Sequence, residues 1–168
     1  VHVAGFSLGG LLTLSLARKH RLTSMSLLGV PIYITRSYLP VEQTVEKLHA
    51  WFNSIVTLRI RWKIAHRDGR TVELRMPMEP VIPLHLIKQV AQLSREVRER
   101  VGEAKADRAL IVHSRADIAA SPESSDYLMK HLSCAEKEQF WLRWSHHEMM
   151  FTPHKDKVLG AVTDFLNK

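Results

Sequence analysis

The sequence predicts an α/β domain with a parallel sheet of about four strands flanked by helices. Short apolar runs alternate with helical patterns near both ends of the chain, and the runs stop at glycine, proline or polar turns. The helical stretches are long enough to connect parallel strands. The alternation is interrupted between residues 34 and 79. We therefore expect a core of residues 1–33 and 80–168, with residues 34–79 inserted as a cap or lid.

The first two strands and the helix between them come from the opening residues. Residues 1–6 form an apolar run, followed by Ser-Leu-Gly-Gly and then by a helical pattern over residues 11–19. The apolar residues predicted on one face of this helix are Leu12, Leu16 and Ala17. Residues 24–28 give the second strand. A helical crossover between two neighbouring strands implies that they run parallel.

The predicted insertion has its own periodicity. Residues 41–52 read as an amphipathic helix, and residues 56–65 and 72–76 alternate between apolar and polar around the turn signal Asp68-Gly69. We predict a β-hairpin here. Six cationic and two anionic side chains lie between residues 59 and 75, which gives the hairpin a basic face. We interpret that face as solvated, and the alternative is a surface that docks on an anionic membrane or polymer.

The second half of the core continues the alternation of helices and strands. The predicted elements are a helix from Pro83 to Gly102, a strand over residues 109–113, a helix with Ser121 as N-cap and Pro122 at its first position, a strand over residues 140–144 and a helix over residues 155–166. Val158, Val162 and Phe165 share one face of the last helix, so that face is expected to pack on the sheet.

Composition excludes several classes of protein. The 168 residues are 45% hydrophobic, which argues against disorder, and no run approaches the roughly 18 apolar residues that stable membrane insertion needs. The single cysteine, Cys134, predicts a reducing, cytoplasmic location. Lys and Arg exceed Asp and Glu by 24 to 17, but these charges are spread along the chain without a reading motif, so no nucleic-acid partner is expected.

The first motif that carries chemistry is G-x-S-x-G, formed by Gly5, Ser7 and Gly9 between the first strand and its helix. A nucleophilic serine needs this strand-to-helix turn, and small residues on either side let the backbone pass close to its neighbours. The alternatives are a plain tight turn or a phosphate site at the helix N-terminus. The glycine and lysine spacing of phosphate-binding loops is missing. We therefore interpret Ser7 as a nucleophile, which requires a base and a residue that orients the base.

Candidates for these two partners follow later strands. Asp117 comes four residues after a predicted strand and is the candidate acid, with capping of the helix near Ser121 as the alternative. His146 and His147 follow the last predicted strand, and one of them is the candidate base, with His147 favoured. A metal site that includes Glu148 is not expected, since no helical H-E-x-x-H accompanies the pair.

Three segments carry a family resemblance. The runs VAGFSLGG, ALIVHSRADIAASPESS and SHHEMMFTPHKDKVLGAVTDFL resemble the nucleophile, acid and histidine segments of bacterial carboxylesterases and monoacylglycerol lipases of the α/β-hydrolase superfamily. The resemblance covers the C-terminal portion of that fold, from the nucleophile-elbow strand onward. It implies a partial α/β-hydrolase fold, a catalytic triad of Ser7, Asp117 and His147, and an oxyanion donor in the N–H of Leu8. The second oxyanion donor of the family precedes the elbow strand, so this sequence is expected to encode half of the hole.

The sequence departs from the family pattern at two loop positions. The histidine of these enzymes usually follows a Ser-Gly pair, whereas here His146 takes the place of the glycine. The acid loop usually has a glycine three residues before the aspartate, where this chain has Ser114. Neither departure removes a catalytic group. A hairpin in the lid would be a third difference, since the family often has short helices there.

The resemblance implies a serine carboxylic-ester hydrolase that acts through an acyl-enzyme on short-to-medium acyl esters, without cofactor or metal. Its partner would be a small-molecule ester. Residues predicted to contact the substrate are Trp51, Trp62, Met149 and Met150, with core packing as the alternative for each. Two other functions use the same residues differently. An acyltransferase or thioesterase would keep the triad, and a truncated, non-catalytic interaction module would not need it.

Overall fold

A computed structural model describes residues 1–35, 57–59, 63–65, 71–73 and 81–168. The strands in these residues are β1 (His2–Phe6), β2 (Leu22–Leu28), β3 (Thr57–Arg59), β4 (Lys63–Ala65), β5 (Thr71–Glu73), β6 (Val81–Pro83), β7 (Ala106–Ser114) and β8 (Glu136–Leu142). The α-helices are α1 (Leu8–Lys19), α2 (Leu84–Glu99), α3 (Glu123–His131) and α4 (Lys155–Leu166). None of these helices is both long enough and apolar enough to cross a membrane.

Strands β1, β2, β7 and β8 form one parallel sheet in that order. This confirms the predicted fold class. The register aligns Phe6 with Leu28, Leu28 with Val112 and Val112 with Phe140. The carboxyl ends of the four strands therefore lie along one edge of the sheet, which is where α/β sheets place their ligands. The segments that follow β1, β7 and β8 all begin at this edge.

Helices cover both faces of the sheet. On one face, α1, α2 and α3 pack against β2 and β7 around Leu14, Met25 and Ile111. On the other face, α4 places Val158 and Phe165 against the opposite side of the same strands. The central strands are buried on both sides, so their sequences read as continuous apolar runs rather than as an alternation.

The buried face of α1 differs from the prediction. Of the three residues predicted to share an apolar face, Ala17 is buried, but Leu12 and Leu16 are 54% and 41% exposed. The buried residues of α1 are Gly10, Leu11, Thr13, Leu14 and Ala17. Gly10 explains the rotation of the helix. A Cβ atom at this position would overlap Val30 of the segment after β2. The face that carries Gly10 therefore lies against the sheet. Leu12 and Leu16, two and six residues further along the helix, lie on the opposite side and stay exposed.

Several boundaries also differ from the prediction. The strand predicted over residues 140–144 begins at Glu136 and ends at Leu142, and Trp144 is 80% exposed. Its first four residues are polar because β8 is an edge strand of the described sheet and is only partly buried. The helix predicted to start at Pro122 starts at Glu123, without a side-chain cap from Ser121. The helix predicted to end at Gly102 ends at Glu99 and is followed by a 3-10 turn.

Short antiparallel pairs lie in and next to the predicted insertion. β4 pairs with β5, joining Lys63 to Glu73, as the predicted hairpin requires. β3 belongs to a different pair, with β6, so β3 and β4 lie in separate two-stranded sheets, whereas the prediction placed residues 56–65 in one arm of the hairpin. The turn Asp68-Gly69 and the helix predicted over residues 41–52 lie outside the described residues. The limits of the cap, 34–79, stay a prediction.

Candidate active site

Ser7, Asp117 and His147 meet at the carboxyl edge of the sheet. Ser7 lies between β1 and α1, Asp117 in the acid loop of residues 115–120 after β7, and His147 in the histidine loop of residues 143–148 after β8. The His147 Nε2 atom lies 2.7 Å from Ser7 Oγ, and its Nδ1 atom lies 2.8 Å from Asp117 Oδ2. A neutral imidazole fits both contacts when Nδ1–H donates to the carboxylate and Nε2 accepts the serine proton. The three side chains thus form a continuous relay.

The turn at Ser7 is strained. Ser7 is the one described residue other than glycine with positive φ, at φ 52° and ψ −118°. Strain of this kind costs on the order of 1–3 kcal/mol and persists only where neighbouring contacts impose it. The Ser7 N–H donates to Leu28 O at 2.8 Å, and its carbonyl accepts the N–H of Gly10 at 2.9 Å. The turn exposes the hydroxyl at the end of the strand instead of using it to cap the helix.

The two glycines of the motif are not equivalent. A Cβ atom on Gly5 would overlap the Gly9 carbonyl and Thr13 Oγ1, so Gly5 is required for the close approach of β1 and α1. A Cβ atom on Gly9 would meet no atom of the described residues within 4 Å. The prediction that Gly9 provides close packing is therefore wrong for the described residues. Gly10, the next residue, makes that approach against Val30.

Leu8 is the first residue of α1, directly after the nucleophile candidate. The first four N–H groups of a helix have no acceptor within the helix. The N–H of Leu8 is one of these, and it adjoins Ser7 at the positive end of the helix dipole. The role of oxyanion donor that the resemblance implies for this N–H stays a prediction.

Asp117 is held from two sides. Its side chain is fully buried, and Oδ1 accepts the N–H groups of Ala119 and Ala120, both at 2.9 Å. Oδ2 is left to accept from His147. The carboxylate therefore organises the acid loop and binds the imidazole at the same time, rather than capping the helix near Ser121. Two backbone donors and one imidazole N–H satisfy a buried carboxylate that would otherwise be costly.

His113, near the end of β7, lies behind the acid. Its ring is fully buried, with Nε2 3.1 Å from Ala120 O and 3.7 Å from Asp117 Oδ2. Because a carbonyl only accepts, the Nε2 atom carries the proton. Burial lowers the pKa of His113, and this effect outweighs the hydrogen bond to Ala120 and the charge of Asp117, which raise it. His113 therefore supports the acid loop as a neutral side chain, a role its predicted place at a strand end did not reveal.

The structure distinguishes the two histidines. His147 contacts both Ser7 and Asp117, and its side chain is 12% exposed. The Phe6 ring lies against it, with centroids 5.3 Å apart. His146 contacts neither residue through a hydrogen bond, and its Nδ1 atom is buried without a partner among the described residues. His146 therefore does not replace His147 in the relay.

Gly29 is a site neighbour that the sequence reasoning did not identify. It follows β2, has φ +54°, and donates its N–H to Val112 O at 2.8 Å. A Cβ atom there would lie 3.2 Å from Met149 Cε and 3.6 Å from Asp117 Oδ2. Its bare backbone therefore leaves room for Met149, while the acid lies at ordinary contact distance. The sequence offered one signal for this residue, namely a glycine directly after a buried strand, which often marks a turn with positive φ.

Gly29→Ala is expected to lower the free energy of unfolding by about 1–2 kcal/mol, since a side chain in left-handed backbone is strained and the new methyl presses on Met149. Chemical denaturation measures the change. Gly160→Ala is the matched control, because Gly160 lies in α4 with open space around it and should gain about 0.5–1 kcal/mol from helix propensity. Equal effects at the two positions would contradict the assignment.

The predicted substrate-contact residues fall in different places. Trp51 and Trp62 lie outside the described residues. Met149 is fully buried in the core cluster with Leu142 and Val158. Its side chain therefore packs in the core beneath the site and has no exposed surface for a substrate in this structure. Met150 is partly buried against the same cluster. Within the described residues, no three His, Cys, Asp or Glu side chains are grouped so that they could hold a metal ion.

By sequence, the chain matches no family model and no curated protein. Its fold is shared with many solved structures, including three of lipolytic enzymes. One belongs to work on two metagenome-derived lipolytic enzymes, LipS and LipT (21% identity, 99% of this chain, 64% of that chain, TM-score 0.74). The second is a monoacylglycerol lipase from Paleococcus ferrophilus, with 19% identity over 96% of this chain and 68% of that chain and a TM-score of 0.68. The third is a soluble variant of monoglyceride lipase from Saccharomyces cerevisiae, with 18% identity over 97% of this chain and 61% of that chain and a TM-score of 0.64.

These likenesses establish the fold class. The chain adopts part of the α/β-hydrolase fold, as the resemblance of its three segments implies. It spans 64%, 68% and 61% of the three chains, so the remainder of that fold has no counterpart in this sequence. Since one fold supports many reactions, activity has to be argued from the site itself.

Proposed function

We propose that the protein is a serine hydrolase that cleaves carboxylic esters through an acyl-enzyme. The observation that carries this proposal is the unbroken relay from Ser7 Oγ through His147 to Asp117, at 2.7 and 2.8 Å. Chance clustering would not also place the serine on a strained turn at the end of a strand. The buried Asp117 carboxylate orients the imidazole so that Nε2 faces the hydroxyl.

The geometry supports a two-step reaction. His147 Nε2 takes the proton of Ser7 as Oγ attacks the ester carbonyl, and the carbonyl oxygen becomes an oxyanion beside the N–H of Leu8. The imidazolium formed is stabilised by Asp117 and then gives its proton to the departing alcohol. A water molecule repeats the sequence on the acyl-enzyme, releasing the acid and restoring the Ser7 hydroxyl. Every proton taken by His147 is returned in the same step, so no cofactor is required.

Short-to-medium acyl esters, including monoacylglycerols, are the proposed substrates. The support is the resemblance of the three segments to carboxylesterases and monoacylglycerol lipases, together with a fold shared with lipolytic enzymes. A cytoplasmic location is proposed from the free, buried Cys134. Acyltransferases and thioesterases use the same relay with another acceptor or leaving group, so the reaction class has to be tested on products.

Product analysis separates these reactions. The full chain is incubated with p-nitrophenyl esters from acetyl to dodecanoyl, with a monoacylglycerol and with an acyl thioester, in the presence and absence of an alcohol acceptor. We expect free carboxylic acid from the oxygen esters, with the fastest turnover at short-to-medium acyl chains. Faster cleavage of the thioester, or transfer of the acyl group to the added alcohol as the main product, would contradict ester hydrolysis.

A further inference from the structure

Ser114 has a buried hydroxyl that the proposed reaction does not use. It is the last residue of β7 and stands three residues before Asp117, where the resembled enzymes usually have glycine. Its side chain is fully buried. The Oγ atom donates to the carbonyl oxygen of Ser145 and accepts the N–H of Ala116 at 3.2 Å. One hydroxyl thus joins the acid loop to the histidine loop.

Ser145, which accepts this bond, is itself 1% exposed. Its own Oγ donates to His146 O at 3.1 Å and lies 3.4 Å from Thr152 Oγ1. Thr152 Oγ1 donates to Met149 O at 3.1 Å. Because both protons are directed to carbonyls, the Ser145 and Thr152 hydroxyls lie close together without a hydrogen bond between them. The bond from Ser114 to the Ser145 carbonyl is therefore the link between the acid loop and the histidine loop, and a glycine at position 114 could not make it.

The contact between Ser114 and Ser145 lies close in sequence to both catalytic candidates of the two loops. Ser114 lies three residues before Asp117, and Ser145 lies two residues before His147. The strand ladder between β7 and β8 ends close by, where the Arg115 N–H donates to Leu142 O at 2.9 Å. Beyond that point the loops diverge from the sheet. The bond from Ser114 to Ser145 ties them together next to the contact between Asp117 and His147.

We propose that Ser114 is a positioning residue, whose hydroxyl fixes the separation of Asp117 and His147 by holding the backbone of the histidine loop against the acid loop. This inference rests on the proposed function, since it assigns Ser114 a role in the same relay. Removing the hydroxyl leaves the Ser145 carbonyl without this donor and frees the two loops to separate. A displacement of about 1 Å at catalytic groups can cost about 10²-fold in rate.

The test compares Ser114→Ala with Ser94→Ala in the full chain. Ser94 is also buried, and its Oγ donates to the carbonyls of Pro31 and Ile32, neither of which is hydrogen-bonded to Ser7, Asp117 or His147. Both variants therefore lose a buried hydroxyl bonded to backbone. The measurements are Tm, kcat and KM for a p-nitrophenyl ester, and the rate constant of inactivation by a fluorophosphonate. Rates are normalised to the fraction of chain that the fluorophosphonate can label.

For Ser114→Ala we expect kcat and the inactivation rate constant to fall by about 10-fold, with KM within about twofold of wild type. For Ser94→Ala we expect a similar loss of Tm and unchanged rates. If Ser114→Ala loses Tm but keeps its normalised rates, Ser114 is structural and the inference is wrong. If the wild-type chain takes no label at all, the proposed function fails and this inference fails with it.

Discussion

Ser7→Ala is expected to reduce kcat for ester hydrolysis by on the order of 10⁶-fold, because loss of the nucleophile in a serine–histidine–aspartate relay removes the acyl-enzyme route altogether. The substitution deletes the Oγ atom that lies 2.7 Å from His147 Nε2. Initial rates with a p-nitrophenyl ester, measured at high enzyme concentration, give the residual activity. Circular dichroism on the same samples checks that the variant is folded.

Ser133→Ala is the matched control for Ser7→Ala. Ser133 is exposed, and its hydroxyl donates to Gly102 O near the start of β8, at the opposite edge of the sheet. We expect this variant to keep the wild-type kcat. The hypothesis of a non-catalytic interaction module predicts instead that Ser7→Ala changes no measurable property. A folded Ser7→Ala variant with the same rate as wild type would therefore favour that hypothesis over the proposed function.

His147→Gln is expected to cost as much as the loss of Ser7, since the members of such a relay act as a unit and the serine hydroxyl is a weak nucleophile without its base. His147 is the imidazole that contacts both Ser7 and Asp117. Steady-state kinetics with the same ester give the change in kcat. The rate of fluorophosphonate labelling, followed by intact mass, should fall in parallel.

The neighbouring His146→Gln variant tests the choice between the two histidines. His146 lies one position away, is partly buried, and makes no hydrogen bond to Ser7 or Asp117. We expect it to keep most of the wild-type kcat. If His146→Gln is inactive while His147→Gln retains its activity, the assignment of the base is reversed and the relay described above is not the catalytic one.

The sequence was sufficient to predict the relay because its members follow strand ends. Parallel strands bring their carboxyl ends to one edge, so Ser7, Asp117 and His147 were expected to meet once β1, β7 and β8 were recognised. Both histidines follow the same strand, so position left the two open with His147 favoured, and the family resemblance assigned the same histidine. Strand existence was thus predictable from apolar runs, and the relative placement of distant residues followed from topology.

The residues that shape the space around the relay were not predictable in this way. A side chain at position 29 would press on Met149, and one at position 10 would overlap Val30. Both neighbours are far from these glycines in sequence. The rotation of α1 followed from Gly10, whereas hydrophobic periodicity favoured Leu12. A pattern of apolar residues records which positions tolerate burial, and it carries no information on where another segment approaches the backbone.

Polar contacts between loops were equally hidden. Ser114 was a departure from a family pattern with no evident consequence, and the structure shows its hydroxyl joining the acid loop to the histidine loop. The neutral state of His113 likewise depends on complete burial, which lowers its pKa more than the hydrogen bond to the Ala120 carbonyl raises it. Such contacts depend on loop conformations, for which neither helical nor strand periodicity provides a signal.

The most direct test of an activated serine at the end of β1 is covalent labelling of the chain by a fluorophosphonate, with peptide mapping of the adduct. The account predicts one adduct per chain, located on Ser7, absent from Ser7→Ala and strongly slowed in His147→Gln. A folded chain that takes no label, or one whose label maps to a serine other than Ser7, would contradict the account.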